Sequence, residues 1–186
     1  MKNFFNRRMG QQDNGTAAIE FAILLPVMVL MLVGLFEVSN FIFCNNKMNR
    51  TAQEISNIAT RGDTTKPQMD SLLQAAVYVA QPFNFTQSGN VIVTSVSHQN
   101  PDPTKPSQVM WQDSYPGGVG ASRINPASLP GGLVLEVNQT VIFTEVFFKY
   151  TPSFPSYGLI ATANTNVYAL AAAFPRQGTM TTLPPS

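Results

Sequence analysis

From Phe21 to Phe36 the chain reads FAILLPVMVLMLVGLF, an uninterrupted apolar run with no charged side chain. Taken from Thr16 to Phe36 the segment has 21 residues. As a helix it spans about 30 Å, the thickness of a bilayer's hydrocarbon core. Beyond it, Phe41, Cys44, Met48, Ala52, Ile55 and Ala59 recur at three- and four-residue spacing, one face of an amphipathic helix over 38–61 that continues the apolar one. Pro26 lies inside the apolar stretch and is expected to kink it, because proline removes one backbone hydrogen bond and crowds the preceding turn. Gly62-Asp63 ends the helical pattern, and Pro67 opens a shorter helix over 68–80 with Met69, Leu72, Leu73 and Ala76 on one face.

After Pro82 the period changes from helical to alternating. Val91–Val96 reads as a short strand and Val109–Trp111 as a weak one. Leu133–Tyr150, rich in Val, Ile, Phe and Thr, carries the strongest β signal, and Thr165–Phe174 reads as the last strand. The loops between Gly117 and Pro130 read as surface connections. The result is an α+β class: a long N-terminal transmembrane and amphipathic helix, a short helix, then a mostly antiparallel β-sheet. The organisation expected is a leader at 1–15, a transmembrane helix at 16–37, its amphipathic continuation at 38–61, an outer domain at 62–176 and a mobile tail at 177–186.

Charge sets the direction of insertion. Lys2, Arg7 and Arg8 precede the apolar run and little positive charge follows it at once, which places the N-terminus in the cytoplasm and the rest of the chain outside the inner membrane. Charged residues are only 11% of the chain, against roughly a quarter in ordinary soluble domains. The net charge of +1, with no basic cluster after the first dozen residues, leaves no footprint for nucleic acid. Cys44 is the single cysteine, so no intrachain disulfide forms, and its helical position reads as a small apolar residue.

The apolar run does not end at a small-residue cleavage site of the secretory kind; it passes through Gly34-Leu35-Phe36-Glu37 into helical pattern. The informative boundary is at its start, where Gly15 is followed by Thr16-Ala17-Ala18-Ile19-Glu20-Phe21. A carboxylate inside a membrane helix costs about 2.5–3.5 kcal/mol on insertion scales and needs a partner. Cleavage after Gly15 would give Thr16 a free α-amino group one helical turn from Glu20, and the two charges could then pair within a chain or between neighbours. A signal anchor that holds Glu20 at the headgroup level fits the same residues. Physical reasoning on these positions leaves both readings standing.

The whole stretch GTAAIEFAILLPVMVLMLVGLFEVSNFIFCNNKMNRTAQEISNIATR resembles the N-terminal region of the TadE-like proteins, minor pseudopilins of the tight-adherence (Flp-type) pilus system. The matching pieces are Gly15 before a small pair, Glu20-Phe21, Pro26 after Leu24-Leu25, Gly34, Glu37 and the amphipathic helix ending near Arg61. The run Val141–Arg176 is similar to that family more loosely. The resemblance implies a pilin-like arrangement, with Gly15 as the last leader residue and Thr16 as the first mature one. It gives Glu20 a role in processing or subunit registration. A membrane aspartyl prepilin peptidase would act in trans, and other Tad pilins and pseudopilins would be partners. Major Flp pilins usually carry Glu-Tyr and are far shorter, so Phe21 and an outer domain of this size point to a minor, assembly-related subunit.

Catalytic patterns are missing from the sequence. His98, the only histidine, has no companion at metal-ligand spacing, no Gly-x-Ser-x-Gly elbow supports a Ser-His-Asp triad, and Asp102, Asp113, Glu136 and Glu145 are scattered. Neither enzymatic activity nor a cofactor or metal is expected. A competing reading is a signal-anchored periplasmic module that recognises a carbohydrate or protein through Trp111, Tyr115, Phe147, Phe148, Tyr150, Phe154 and Tyr157. Alternation in strands and flanking prolines favour core packing for those rings.

Overall fold

The computed structural model describes residues 9–62, 64–102, 104–116, 121–153 and 166–183, with side chains from residue 15 onward. Helix α1, Met9–Ala59, is a single 51-residue helix that runs without a break through Pro26. Helix α2 (Lys66–Val79), a four-residue helical turn α3 (Phe85–Ser88) and strands β1 (Gly89–His98), β2 (Gln108–Tyr115), β3 (Gln139–Lys149) and β4 (Asn166–Ala173) follow. The chain divides into two compact units. One comprises residues 1–40 and 152–160, and the other residues 41–151 and 161–186.

In the first unit the described residues are the N-terminal part of α1 and the pair Pro152-Ser153. In this part of α1 the apolar side chains are exposed on every side: Ile23 is 68% exposed, Met31 71%, Leu32 64% and Leu35 65%. A helix apolar on every side and unpacked is suited to lipid, not to water. Among the described residues one helix is thus long and apolar enough to cross a membrane, and it fits a single-pass anchor.

The second unit is built on a four-stranded sheet in the order β2-β1-β3-β4, with each neighbouring pair antiparallel. Opposite residues share a face, so Val91↔Val146, Val93↔Thr144 and Ser95↔Ile142 point one way, while Ile92↔Glu145, Thr94↔Phe143 and Val96↔Val141 point the other. The first face packs on the helices. Cys44, Met48, Ala52, Ile55 and Ala59 of α1, together with Met69, Leu73 and Ala76 of α2, form one buried cluster with Val91, Val93, Ile142 and Val146. These α1 positions are the stripe read from the three- and four-residue spacing. The second face is covered by irregular chain, with Leu129 and Leu135 buried against Val96, Val141 and Phe143. Covered on both faces, β1 is buried along its whole length.

Several boundaries move relative to the sequence reading, each for a local reason. Helix α2 starts at Lys66, where Gln68 Oε1 accepts the Thr65 N–H at 3.0 Å, half of a capping box that Thr65-x-x-Gln68 spells out. The expected strand Leu133–Tyr150 shortens to Gln139–Lys149, because the chain turns at Pro130–Gly132 and again at Asn138, whose φ of 66° lies in the left-handed region that asparagine tolerates. Strand β2 is longer than the Val109–Trp111 signal. It is an edge strand whose half-buried Asp113 and exposed Val109 break the apolar/polar alternation. The turn α3 carried no periodic signal; it buries Phe85, and a β-carbon at Gly89 would collide with that ring.

Within the expected tail, the described residues 177–183 include a packed side chain. Met180 is buried, and its carbonyl accepts hydrogen bonds from Ser95 Oγ and Trp111 Nε1, both at 2.8 Å. Compositional cues at Pro184-Pro185 do not carry this information, since one apolar side chain finding a gap in a distant sheet leaves no local pattern.

Candidate functional site

Gly15, Thr16, Glu20, Phe21 and Pro26 all lie on α1, and each is exposed. Thr16 and Glu20 are four residues apart on a continuous helix, which places their side chains on one face about 5–6 Å apart at the β-carbons. Among the described residues Glu20 makes no salt bridge. A β-carbon added at Gly15 would meet nothing within 4 Å, so no packing in the helix requires glycine there. Phe21 is 57% exposed and contributes nothing to a core. The five positions are thus exposed but distributed around the helix, and of the possible charge partners only Thr16 and Glu20 share a face.

Two carboxylates that the sequence did not single out for chemistry are buried. Glu37, where α1 leaves its apolar stretch, is 2% exposed, and both its oxygens accept the Ser153 N–H at 3.2 Å. Glu145, in the middle of β3, is fully buried and accepts Ser122 Oγ at 2.5 Å, the Arg123 N–H at 2.8 Å and Tyr168 Oη at 2.9 Å. The Arg123 guanidinium lies over the rings of Tyr168, 4.5 Å from the centroid, and Phe147, at 5.4 Å. The only sequence clue to Glu145 is a charge interrupting an otherwise apolar, β-branched strand. Ser122, Arg123 and Tyr168 come from segments more than 20 residues away, so their convergence was not visible.

Burial, and then the hydrogen bond to Glu145, push the Tyr168 phenol above its ordinary range. Neutral Tyr168 is the form that the fold favours, so its contribution to stability is fully present below about pH 10, where an unfolded tyrosine is also neutral. The contribution is lost as pH rises beyond that, because the unfolded chain ionises first. Thermal melts between pH 8 and 11 are expected to fall with pH, and to fall less steeply in Tyr168→Phe; equal slopes would contradict the assignment.

His98 closes β1 and is buried, with Nε2 unpartnered among the described residues. Among the described residues no group of three His, Cys, Asp or Glu side chains could hold a metal ion. The aromatic positions do not form an open platform. Phe147, Phe148 and Tyr150 are buried, while Trp111 and Tyr115 are half-buried against the helix-side core. Phe154 and Tyr157 fall outside the described residues.

No curated protein and no solved structure matches the chain. Residues 15–56 match the family model for TadE-like proteins. That segment begins at the glycine before the small-residue pair, contains Glu20, Phe21, Pro26 and Glu37, and ends three residues before α1 does. Over this segment, which holds most of the apolar helix, the chain is similar to the TadE-like proteins.

Proposed function

We propose that the chain is a minor pseudopilin, an assembly subunit of a Tad-type secretion and adhesion apparatus, processed by a prepilin peptidase between Gly15 and Thr16. The observation that carries this reading is the family match starting at Gly15, on a helix whose apolar surface is exposed all round. In this role the protein is the substrate of a peptidase supplied in trans and not itself an enzyme. Its N-terminus is cytoplasmic and its sheet domain lies on the far side of the inner membrane. Other Tad pilins and pseudopilins are its partners, meeting it along α1.

Cleavage creates the partner that Glu20 needs. The leader's positive charges depart, and the new Thr16 ammonium lies one turn from Glu20. Pairing the two offsets the penalty of holding a carboxylate in an apolar helix. An aromatic ligand-binding module is less well supported, because the rings that would form its platform are used in the core.

Intact-mass measurement of the membrane-purified protein is expected to show loss of residues 1–15. Gly15→Leu should abolish that loss while leaving insertion unchanged, since the position has open space around it. A native chain still starting at Met1 would overturn the processing claim.

Glu20→Gln tests the pairing separately. Removing a carboxylate from the apolar segment should leave insertion intact or slightly improved, yet weaken capture of pilin partners and reduce piliation. Unchanged partner capture and unchanged piliation would count against a role for the carboxylate, whatever the peptidase does with the variant.

A further inference from the structure

The bond between Glu37 and Ser153 fixes a depth. Residues 21–36 carry no charge, and Glu37 is the first ionisable side chain after them. At 1.5 Å per residue, a helix that enters the hydrocarbon near Thr16 emerges about 30 Å later, at Phe36-Glu37. An apolar environment at that boundary requires the carboxylate to be satisfied by something other than bulk water, and Glu37 is indeed 2% exposed. Both its oxygens accept the Ser153 N–H, donated by a residue 116 positions later. Ser153 is consequently held at the level where α1 leaves the bilayer. It is exposed there, and its neighbour Pro152 is half-buried. The sequence from Tyr150 to Pro175 contains no charged residue that would resist approach to an interface.

We propose that Glu37 is a positioning residue that clamps the chain at Pro152-Ser153 onto the bilayer surface, giving the protein a second contact with lipid headgroups beside its membrane-spanning helix. The partner is the lipid interface itself. The backbone N–H of Ser153 supplies the hydrogen bond, so the clamp depends on an acceptor at residue 37 and not on the identity of residue 153. Either oxygen of a carboxylate can serve, and so can the single oxygen of an amide.

The proposal rests on α1 spanning the membrane, and depth-resolved quenching tests the two claims apart. The full chain is reconstituted into phosphatidylcholine vesicles carrying a spin label either at the headgroup or deep in the acyl chain. A fluorophore is attached in turn to Leu30→Cys and to Ser153→Cys. Cys44 does not compete for the label, because it is buried and burial pushes its thiol up to about 12. The probe at 30 should be quenched by the deep label, and failure there sinks the spanning reading. The probe at 153 should be quenched severalfold more by the headgroup label than the same fluorophore on free cysteine in solution. Glu37→Ala should reduce that quenching to the free-cysteine level, and Glu37→Gln should retain most of it. With the probe at 30 behaving as expected, a probe at 153 no more quenched than free cysteine overturns the clamp without needing any variant at 37. Quenching at 153 that is the same in Glu37→Ala overturns it equally.

Discussion

A fragment beginning at Asn40 is expected to be soluble and to unfold cooperatively, whereas one beginning at Gly62 should fail to reach the native fold. The second fragment lacks Cys44, Met48, Ala52, Ile55 and Ala59, all 0–1% exposed in the cluster that covers the helix-side face of the sheet. Burying a single large side chain such as Met48 or Ile55 is worth about 1.5–3 kcal/mol. The five together are comparable to the roughly 5–15 kcal/mol that separates a folded domain from its unfolded chain. Deleting them also leaves Val91, Val93, Ile142 and Val146 facing water, a surface prone to aggregation. A start at Asn45 would forfeit Cys44 and the edge-on contact between Phe41 and Tyr150, whose ring centroids are 5.5 Å apart. The measurement is a pair of thermal melts followed by circular dichroism. Equal midpoints would mean that the helix does not stabilise the sheet.

Substitution of Glu145 should have the largest effect of any single change in the sheet. In Glu145→Ala the carboxylate vanishes from a fully buried position and Ser122 Oγ, the Arg123 N–H and Tyr168 Oη lose their shared acceptor. Orphaning buried donors costs about 1–3 kcal/mol each where water cannot replace the partner, and bonds to a charged acceptor lie at the upper end. A total of about 3–5 kcal/mol is expected, which lowers the melting midpoint by roughly 2–4 °C per kcal/mol in a chain of this size. Glu145→Gln should lose distinctly less, since the amide oxygen still accepts while its NH₂ finds only donors facing it. Ser122 and Arg123 begin the irregular segment that leads to Leu129 and Leu135, so hydrogen exchange should rise across residues 121–135 in the alanine variant. Exchange confined to β3 would show that Glu145 does not hold that segment.

Glu145, Glu37 and Glu20 obey the same rule by different means. Glu145 is satisfied by three donors of its own fold, and Glu37 accepts the N–H of a residue far along the sequence. For Glu20 the proposed partner is the Thr16 ammonium, which exists only after processing.

By itself the sequence determined whatever follows from short-range periodicity and unbroken apolar length. The long apolar helix was legible from its unbroken apolar length, and the α1 stripe from Phe41 to Ala59, helix α2 and strands β1, β3 and β4 from repeats every 3.6 or 2 residues within one segment; β2 was legible only at Val109–Trp111. That Gly15, Thr16, Glu20, Phe21 and Pro26 lie on one helix was legible for the same reason, since position on a single helix needs no tertiary information. Tertiary structure alone decided the strand order β2-β1-β3-β4, which places β1 between β2 and β3 and buries it on both faces. It also decided that Met180 closes the core, that Ser122, Arg123 and Tyr168 meet on Glu145, and that Glu37 finds Ser153. Each of these joins residues tens of positions apart through one side chain or one backbone group. A single buried donor or acceptor has no period to betray it; its partner is chosen by the path of the whole chain.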